Sequence, residues 1–306
     1  MEVRVLSSAL RQNKTSLFRE VSKPLRSYLS LFFLSKFFEF WILFMKIKFL
    51  GTSAGWPLPR LGCNCKICTS NDPKDKRTRT QVLVNDSILL DAGPDTYQHL
   101  LDLKSVSKLK AILVSHEHLD HILGFWDITH IYNLTGTLNV YVTLPVLNGI
   151  RKIIRTHGKN LKINIVKPNQ GFLIDNVKAE YFPVIHGKTP TYGVKIKDNK
   201  ILAYIPDLNR ILPSSQKIIR DCHILIIDGS SLNQVGQARG HISIVDGIKL
   251  AKNLKARKTY FVHIGHKTST HQLLEKYLAE NAGPNFHIAY DIFNFQFSIF
   301  NCYHSA

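Results

Sequence analysis

The chain has 306 residues, of which 44% are hydrophobic, and its formal net charge is +18. This size and hydrophobic content suit one α/β domain of about 250 residues, and they exclude a chain too polar to form a core. The positive charge favours anionic partners such as phosphates, nucleic acid or an acidic membrane surface. Because the lysines are spread singly along the chain, we interpret the charge as weak support for a phosphate substrate.

The first 44 residues differ in composition from the rest. A basic stretch, 3–26, precedes the apolar and aromatic run LSLFFLSKFFEFWILF at 29–44, which two charged residues interrupt. A clean membrane span needs about 20 apolar residues, and no small-residue cleavage site of a secretory signal is present. We interpret residues 1–44 as an extension with three alternatives: a weak membrane anchor or interfacial helix, an organelle presequence, or residues left untranslated by a start at Met45.

From Met45 onward, apolar runs of strand length alternate with amphipathic stretches of helical length. Since no internal repeat or second boundary follows, 45–306 is interpreted as a single domain. The pattern predicts an α/β fold of two sheets with helices outside. Strands are predicted at 45–50, 82–91, 111–115, 138–143, 163–167, 179–184, 191–197, 201–206, 223–228, 259–263, 286–290 and 295–300, and helices at 96–104, 121–133, 145–157, 215–220, 242–254 and 270–280.

The stretch SHEHLDH, residues 115–121, follows the apolar run AILV, which is typical of a buried strand leaving its sheet. His116 and His118 alternate, so on an extended chain they point the same way, and Asp120 and His121 follow as the chain turns. Imidazoles and a carboxylate are the ligands that borderline divalent metals such as zinc or manganese take. The alternative is the polar end of a surface turn.

Three further predicted strands end in residues of the same ligand types. YFPVIHG delivers His186, AYIPD delivers Asp207, and TYFVHIGH delivers His263. A lone histidine after a strand is more often a capping or hydrogen-bonding residue, and the joint pattern is what favours a metal site.

The pattern HxHxDH followed by a distant His, Asp and His resembles the metallo-β-lactamase fold superfamily over residues 45 to about 300. The resemblance implies a four-layer αββα sandwich, a metal-dependent hydrolase, and two divalent ions at one edge of the sandwich. It implies these roles: His116, His118 and His186 on one metal; Asp120, His121 and His263 on the second; Asp207 between the two; and Asp91 in ILLDAG supporting the ligands by hydrogen bonds.

Two ions about 3.5–4 Å apart can share a water and lower its pKa, and they can offset charge on the substrate's oxygens. This chemistry suits phosphodiesters, thioesters and lactams alike. The ligand types leave zinc, manganese and iron open.

The chain has five cysteines, an odd number, and three of them are clustered. This pattern is not typical of a disulfide framework. Reduced cysteines in a cytosolic protein fit better. Cys63, Cys65 and Cys68 form CxCxxC in GCNCKIC, and such a cluster can hold a structural zinc if a fourth ligand joins it. An accidental cluster is the alternative.

The candidate fourth ligand is His266, three residues beyond His263, and Cys222 and Cys302 rank below it. The cysteine insertion after the first strand resembles the PhnP subgroup, the phosphoribosyl cyclic phosphate phosphodiesterases. In that subgroup the fourth zinc ligand is a histidine in this HxxH arrangement.

The sequence GHIS places His241 just before an amphipathic run. It resembles the HxS histidine of phosphodiesterases in this superfamily, which contacts the phosphate and can donate a proton. A general acid of this kind typically contributes about 10²–10⁴ in rate. The alternative is a histidine that only caps the following helix.

Two related groups offer other functions. tRNase Z-like endonucleases share GTSAG, here at 51–55, and an RNA substrate suits the charge. They lack CxCxxC, however, and carry a long arm that this chain does not show. PqqB-like proteins of cofactor biosynthesis share a cysteine cluster and an RTQ-type segment, compare RTRTQ at 77–81, but depart from the HxHxDH motif. A non-enzymatic, membrane-tethered scaffold would rest on 29–44 alone.

The sequence therefore predicts a cytoplasmic, dinuclear metal-dependent phosphodiesterase acting on a small cyclic phosphate, with Asp120, Asp207 and His241 as catalytic residues. Zinc or manganese is expected at the active site and one structural zinc at the cysteines. The expected partner is a small phosphodiester. A homodimer, RNA, and weak membrane contact through 29–44 are further candidates.

Overall fold

The computed structural model describes residues 45–297, except 102, 104–105, 133–136, 155–160 and 234–239. The predictions for residues 1–44 and for Cys302 lie outside this part of the chain. Within the described ranges, no helix is long and apolar enough to cross a membrane.

The described residues form strands β1–β15 and helices α1–α7 in the following order along the chain. The strands are β1 (Met45–Gly51), β2 (Gln81–Val84), β3 (Ile88–Leu90), β4 (Ala111–Leu113), β5 (Leu138–Thr143), β6 (Leu161–Val166), β7 (Gly171–Ile174), β8 (Val177–His186), β9 (Thr189–Lys197), β10 (Ile201–Ile205), β11 (Arg210–Ile211), β12 (Ile224–Asp228), β13 (Lys258–Val262), β14 (Phe286–Ile288) and β15 (Asn294–Phe297). The helices are α1 (Thr96–Leu101), α2 (Leu119–Ile122), α3 (Phe125–Tyr132), α4 (Leu144–Ile153), α5 (Pro213–Ile219), α6 (Ile244–Asn253) and α7 (His271–Asn281).

The strands build two sheets. The first has the order β15-β1-β2-β3-β4-β5-β6, and the second has the order β11-β8-β9-β10-β12-β13-β14, with β7 paired to β8. Strands β3 to β6 are parallel, as are β10, β12, β13 and β14. Parallel strands need crossovers, which here carry the helices.

Three apolar layers hold the fold together. The middle layer packs the facing sides of the two sheets, with Phe49, Tyr181 and Tyr260 among its members. A second layer packs α1, α3 and α4 on the first sheet, and a third packs α5, α6 and α7 on the second. This arrangement is a four-layer αββα sandwich, so the predicted fold class is confirmed.

Local departures from the predicted elements have backbone causes. The single strand predicted at 82–91 is wrong, because Asn85 and Asp86 both have positive φ and turn the chain into a β2–β3 hairpin. The helix predicted at 121–133 begins at Leu119 and breaks at Gly124, whose N–H donates to the carbonyl of Ala92. A side chain on Gly124 would collide with the loop after β3.

A buried arginine joins the two sheets beside the end of β1. Arg77 donates from Nη1 to Thr52 Oγ1 at 2.8 Å and to the carbonyl of Ala289, which follow β1 and β14 respectively. Its Nη2 donates to His271 Nδ1 at 3.3 Å, at the start of α7. Burial lowers the pKa of Arg77 to about 10. One side chain therefore connects the Thr52 hydroxyl after β1, the backbone after β14 and the His271 ring of α7.

Replacing Arg77 by alanine is expected to lower the free energy of unfolding by about 3 kcal/mol, because it leaves buried acceptors without a donor. Urea unfolding would measure the change. Arg220→Ala, at an exposed arginine, is the matched control, and equal losses in the two variants would contradict the structural role.

Candidate metal centre and active-site cavity

The SHEHLDH stretch begins the site where β4 ends. His116 and His118 lie in the loop after β4, and His118 occupies the position just before α2. Asp120 and His121 lie in α2, which is a single turn of helix. His116 and His121 are buried. The four side chains are therefore delivered by a strand end and the short helix after it.

The second sheet supplies the other three residues at its strand ends. His186 is the last residue of β8, Asp207 follows β10, and His263 follows β13. All three are at most 4% exposed. His263 has a φ of +57°, and its N–H donates to Thr80 Oγ1 at 3.0 Å. That hydrogen bond holds a left-handed turn that a non-glycine residue seldom adopts.

The structure brings all seven residues together in two groups that share Asp207. In each group the nitrogen and oxygen atoms that could bind a metal lie within 4.8 Å of one another. Asp207 Oδ2 lies 3.1 Å from His116 Nε2 and 3.3 Å from His121 Nε2, and its Oδ1 lies 3.0 Å from His263 Nε2. The groups are His116, His118, His186 and Asp207, and Asp120, His121, Asp207 and His263.

The buried atoms of this cluster are short of hydrogen bonds. His116 Nε2, His121 Nε2 and Asp207 Oδ1 are buried and have no hydrogen-bond partner. Burial lowers the pKa of His116 to about 4. Burial opposes ionisation of Asp207, yet His263 and His121 hold its pKa well below the usual range. A neutral imidazole beside a carboxylate anion is the donor set that a divalent cation needs.

Asp91, directly after β3, supports the cluster from outside. Its carboxylate accepts hydrogen bonds from His121 Nδ1 at 2.8 Å, from Tyr204 Oη at 2.8 Å, and from the N–H and hydroxyl of Ser115 at 2.7 and 2.9 Å. Because the Ser115 hydroxyl donates to Asp91, it accepts from His116 Nδ1, 2.9 Å away. His116 and His121 therefore both present Nε2 to the cluster.

His241 pairs with a carboxylate that the sequence reasoning missed. Its Nδ1 lies 2.8 Å from Oδ2 of Asp228, the buried last residue of β12. Burial would lower the pKa of His241, but the Asp228 carboxylate raises it to about 9. The capping alternative is not what the structure shows, because Ser243 caps α6 by accepting from the N–H of Asp246. The run ILIID, an apolar strand ending in a carboxylate, was the available signal.

The cysteine loop lies next to this centre. The ligand atoms of Cys63, Cys65, Cys68 and His266 lie within 4.8 Å of one another. His266 Nδ1 is 3.3 Å from Cys63 Sγ and 4.0 Å from Cys65 Sγ. A hydrogen bond from the Cys65 backbone lowers the pKa of Cys63 to about 6, whereas burial raises that of Cys68 to about 11. Cys222, the lower-ranked alternative, lies in the apolar layer between the second sheet and its helices.

A cavity of about 330 Å³ opens over both histidine groups. Its lining includes His118, Asp120, Asp207, His241 and His263, so the predicted proton donor and members of both histidine groups face one space. The loop after β1 also contributes Trp56 and Arg60 to the lining. Ser230 after β12 and Lys267 after β13 contribute further.

Comparison with known proteins gives relatives of more than one function. The octanoyltransferase of Porphyromonas gingivalis is 30% identical over 259 residues, which cover 81% of this chain, and the chain spans about half the length of that relative. Coenzyme PQQ synthesis protein B of Acinetobacter baumannii is 25% identical over 272 residues, covering 72% of this chain and 90% of that protein.

Among solved structures, a diphosphatase from the PhnP family matches with a TM-score of 0.74 and 26% identity, covering 83% of this chain and 98% of that one. This match supports the resemblance to the PhnP-like subgroup. The family model described as the beta-lactamase superfamily domain matches residues 86–264, a span that includes both histidine groups, Asp91 and His241. The chain therefore belongs to the beta-lactamase superfamily and has the metallo-β-lactamase fold.

Proposed function

We propose that this protein is a dinuclear metal-dependent phosphodiesterase that hydrolyses a small cyclic phosphate, of the phosphoribosyl 1,2-cyclic phosphate or nucleoside 2′,3′-cyclic phosphate type. The observation that carries the proposal is the Asp228–His241 pair, which places an imidazole hydrogen-bonded to a buried carboxylate in the same cavity as residues of both metal-binding groups. Membership of a superfamily of metal-dependent hydrolases and the similarity to a PhnP-family diphosphatase support it.

The residues present fit two divalent ions, zinc or manganese. Buried imidazole nitrogens and a buried carboxylate oxygen converge without hydrogen-bond partners, which is costly unless a cation binds them. When bound, such ions lower the pKa of water and offset negative charge on phosphate oxygens. The proposed ligands are His116, His118 and His186 for one ion, Asp120, His121 and His263 for the other, and Asp207 for both.

The chain's own residues orient the ligands before any ion binds. Asp91 and Ser115 fix the rings of His121 and His116, and the carbonyl of Gly240 accepts a hydrogen bond from His186 Nδ1. Each of these rings then presents Nε2 to the centre. Preorganised ligands reduce the reorganisation needed when substrate arrives.

His241 is proposed as the general acid. Asp228 holds its Nδ1, which leaves Nε2–H as the proton to be donated, and the ring is about one quarter exposed on the cavity side. With a pKa raised to about 9, the imidazole is protonated at neutral pH. It can therefore protonate the oxygen that leaves phosphorus when the ring opens.

A PqqB-like role is the second candidate, favoured by the similarity to coenzyme PQQ synthesis protein B along 90% of that protein. The intact HxHxDH stretch and the His241 pair favour hydrolysis instead. A tRNase Z-like activity on RNA 3′ ends is a further outcome that the substrate test separates.

The first expected outcome concerns turnover. Phosphorus NMR of the metal-loaded protein with 5-phosphoribosyl 1,2-cyclic phosphate should show opening to a bisphosphate. A chelator should stop the reaction, and His241→Ala should slow it by about 10²-fold or more. His130→Ala, at an exposed histidine outside the cavity, is the control. Turnover of neither this compound nor a nucleoside 2′,3′-cyclic phosphate by the fully metallated protein would contradict the proposal, and precursor tRNA would be tried next.

Asp228→Asn is expected to move the pH dependence of kcat/KM. The carboxylate stabilises the charged imidazole, so its replacement by an amide lowers the pKa of His241 from about 9. Activity that depends on the protonated ring is then lost at lower pH than in the wild type. An alkaline limb at the same pH in both proteins would refute the pairing's role. Asp221→Asn serves as the control, because Asp221 does not line the cavity.

Cys65→Ser is expected to lose about one equivalent of zinc and to unfold at a lower temperature, because the proposed Cys63, Cys65, Cys68 and His266 site would lack one ligand. Metal analysis and thermal denaturation measure the two effects. Cys222→Ala, outside the cluster, should keep its zinc. Full zinc occupancy in Cys65→Ser would argue against a structural zinc.

A further inference from the structure

His118 presents a different ring nitrogen to the metal centre from the three histidines whose ring orientation was described above. Its Nδ1 lies 3.2 Å from His186 Nε2, whereas His116, His121 and His186 each present Nε2. The other nitrogen of His118, Nε2, lies 3.1 Å from Thr189 Oγ1. The proposed chemistry gives Thr189 no role.

The hairpin between β8 and β9 places Thr189 at this position. His186 is the last residue of β8 and pairs with Thr189, the first residue of β9. Gly187 between them has a φ of +56°, and its N–H donates to Asn209 Oδ1 at 2.7 Å. The hydroxyl of Thr191 donates to the carbonyl of Thr189 at 3.0 Å. One tight turn therefore carries both a proposed metal ligand and the hydroxyl that contacts the neighbouring ligand.

The hydrogen bonds of these side chains define where the ring hydrogens lie before a cation binds. The carbonyl of Gly240 can only accept, so His186 carries its hydrogen on Nδ1 and a lone pair on Nε2. Its contact with His118 Nδ1 is then a hydrogen bond only if the neutral His118 ring carries its hydrogen on Nδ1. In that tautomer His118 Nε2 has a lone pair and accepts from the Thr189 hydroxyl.

A bound cation requires the opposite tautomer of His118. A divalent ion held by both His118 Nδ1 and His186 Nε2 needs a lone pair on each atom. The His118 hydrogen must then lie on Nε2, where its partner has to accept instead of donate. A hydroxyl can do either, because it has one O–H and two lone pairs and its hydrogen rotates. Thr189 therefore satisfies both tautomers by rotation about its C–O bond.

We propose that Thr189 is a positioning residue of the metal centre. Its hydroxyl donates to His118 Nε2 while the ring hydrogen is on Nδ1, and it accepts from Nε2 when Nδ1 binds a divalent cation. The inference rests on the ligands named in the proposed function and makes no assumption about the substrate. Removing a group that orients a ligand ring typically weakens metal binding by about 10–100-fold.

Thr189→Val removes the hydroxyl and keeps the branched shape that strands favour. Metal analysis after equilibrium dialysis of the full chain at graded free zinc measures the effect. One zinc of Thr189→Val should need about tenfold or more free zinc for half occupancy than in the wild type. Thr189→Ser, which keeps the hydroxyl, should bind zinc as the wild type does. Equal zinc binding by Thr189→Val and the wild type overturns the proposal, and so does an equal loss in Thr189→Val and Thr189→Ser.

Thr259→Val is the matched control for the loss of a hydroxyl. Thr259 is buried in β13, and its Oγ1 has no hydrogen-bond partner in the described part of the chain. This variant should therefore bind zinc as the wild type does. A loss equal to that of Thr189→Val would show that the effect is not specific to His118 and would overturn the proposal.

Nitrogen-15 NMR of the wild-type protein tests the same inference without a substitution. The His118 hydrogen should lie on Nδ1 in the metal-free protein and on Nε2 in the zinc-loaded protein. The same hydrogen position in both states, on either nitrogen, would overturn the inference. Neither measurement uses a substrate, so a failure of the proposed phosphodiesterase activity is recognised separately from a failure of this inference.

Discussion

The buried carboxylate of Asp91 is the interaction on which the metal centre depends. It follows β3, and its parallel neighbour β4 runs directly into the SHEHLDH loop. Asp91 receives hydrogen bonds from Ser115 on that loop, from His121 in α2, and from Tyr204 on β10 of the opposite sheet. Four donors compensate the burial of one charged group. The Ser115 and His121 contacts orient the ligand rings, and the Tyr204 contact joins the two sheets at this edge.

Most of the fold could be predicted from the sequence because the strands are apolar runs whose ends are marked by polar residues. The errors arose where backbone geometry overrides side-chain pattern. The consecutive left-handed residues Asn85 and Asp86 split one predicted strand into a hairpin, and close packing at Gly124 divides one predicted helix. Strands β7 and β11, of four and two residues, were not predicted, because short edge strands carry too few residues to show a period.

Some residues of the candidate site could be predicted from the sequence, and others could not. Ligand-type residues could be chosen because each follows an apolar strand, and the structure gathers all of them. Asp228 follows the same rule but was passed over, since its meaning depends on His241, which reaches it from a different segment. The placement of Arg60 and Trp56 beside the cavity likewise depends on how the cysteine loop folds over the turn after β13. A contact between two different segments of the chain produces no pattern within either segment, so it could not be predicted from the sequence.

A hydrogen bond between Arg60 and His266 joins two residues of the cysteine loop and the turn after β13, and both residues line the cavity. A guanidinium can only donate, so His266 Nε2 accepts and the ring hydrogen resides on Nδ1, facing Cys63. The ring could hold zinc through Nδ1 only with its hydrogen on Nε2, so zinc binding at Nδ1 and the hydrogen bond from Arg60 would exclude each other.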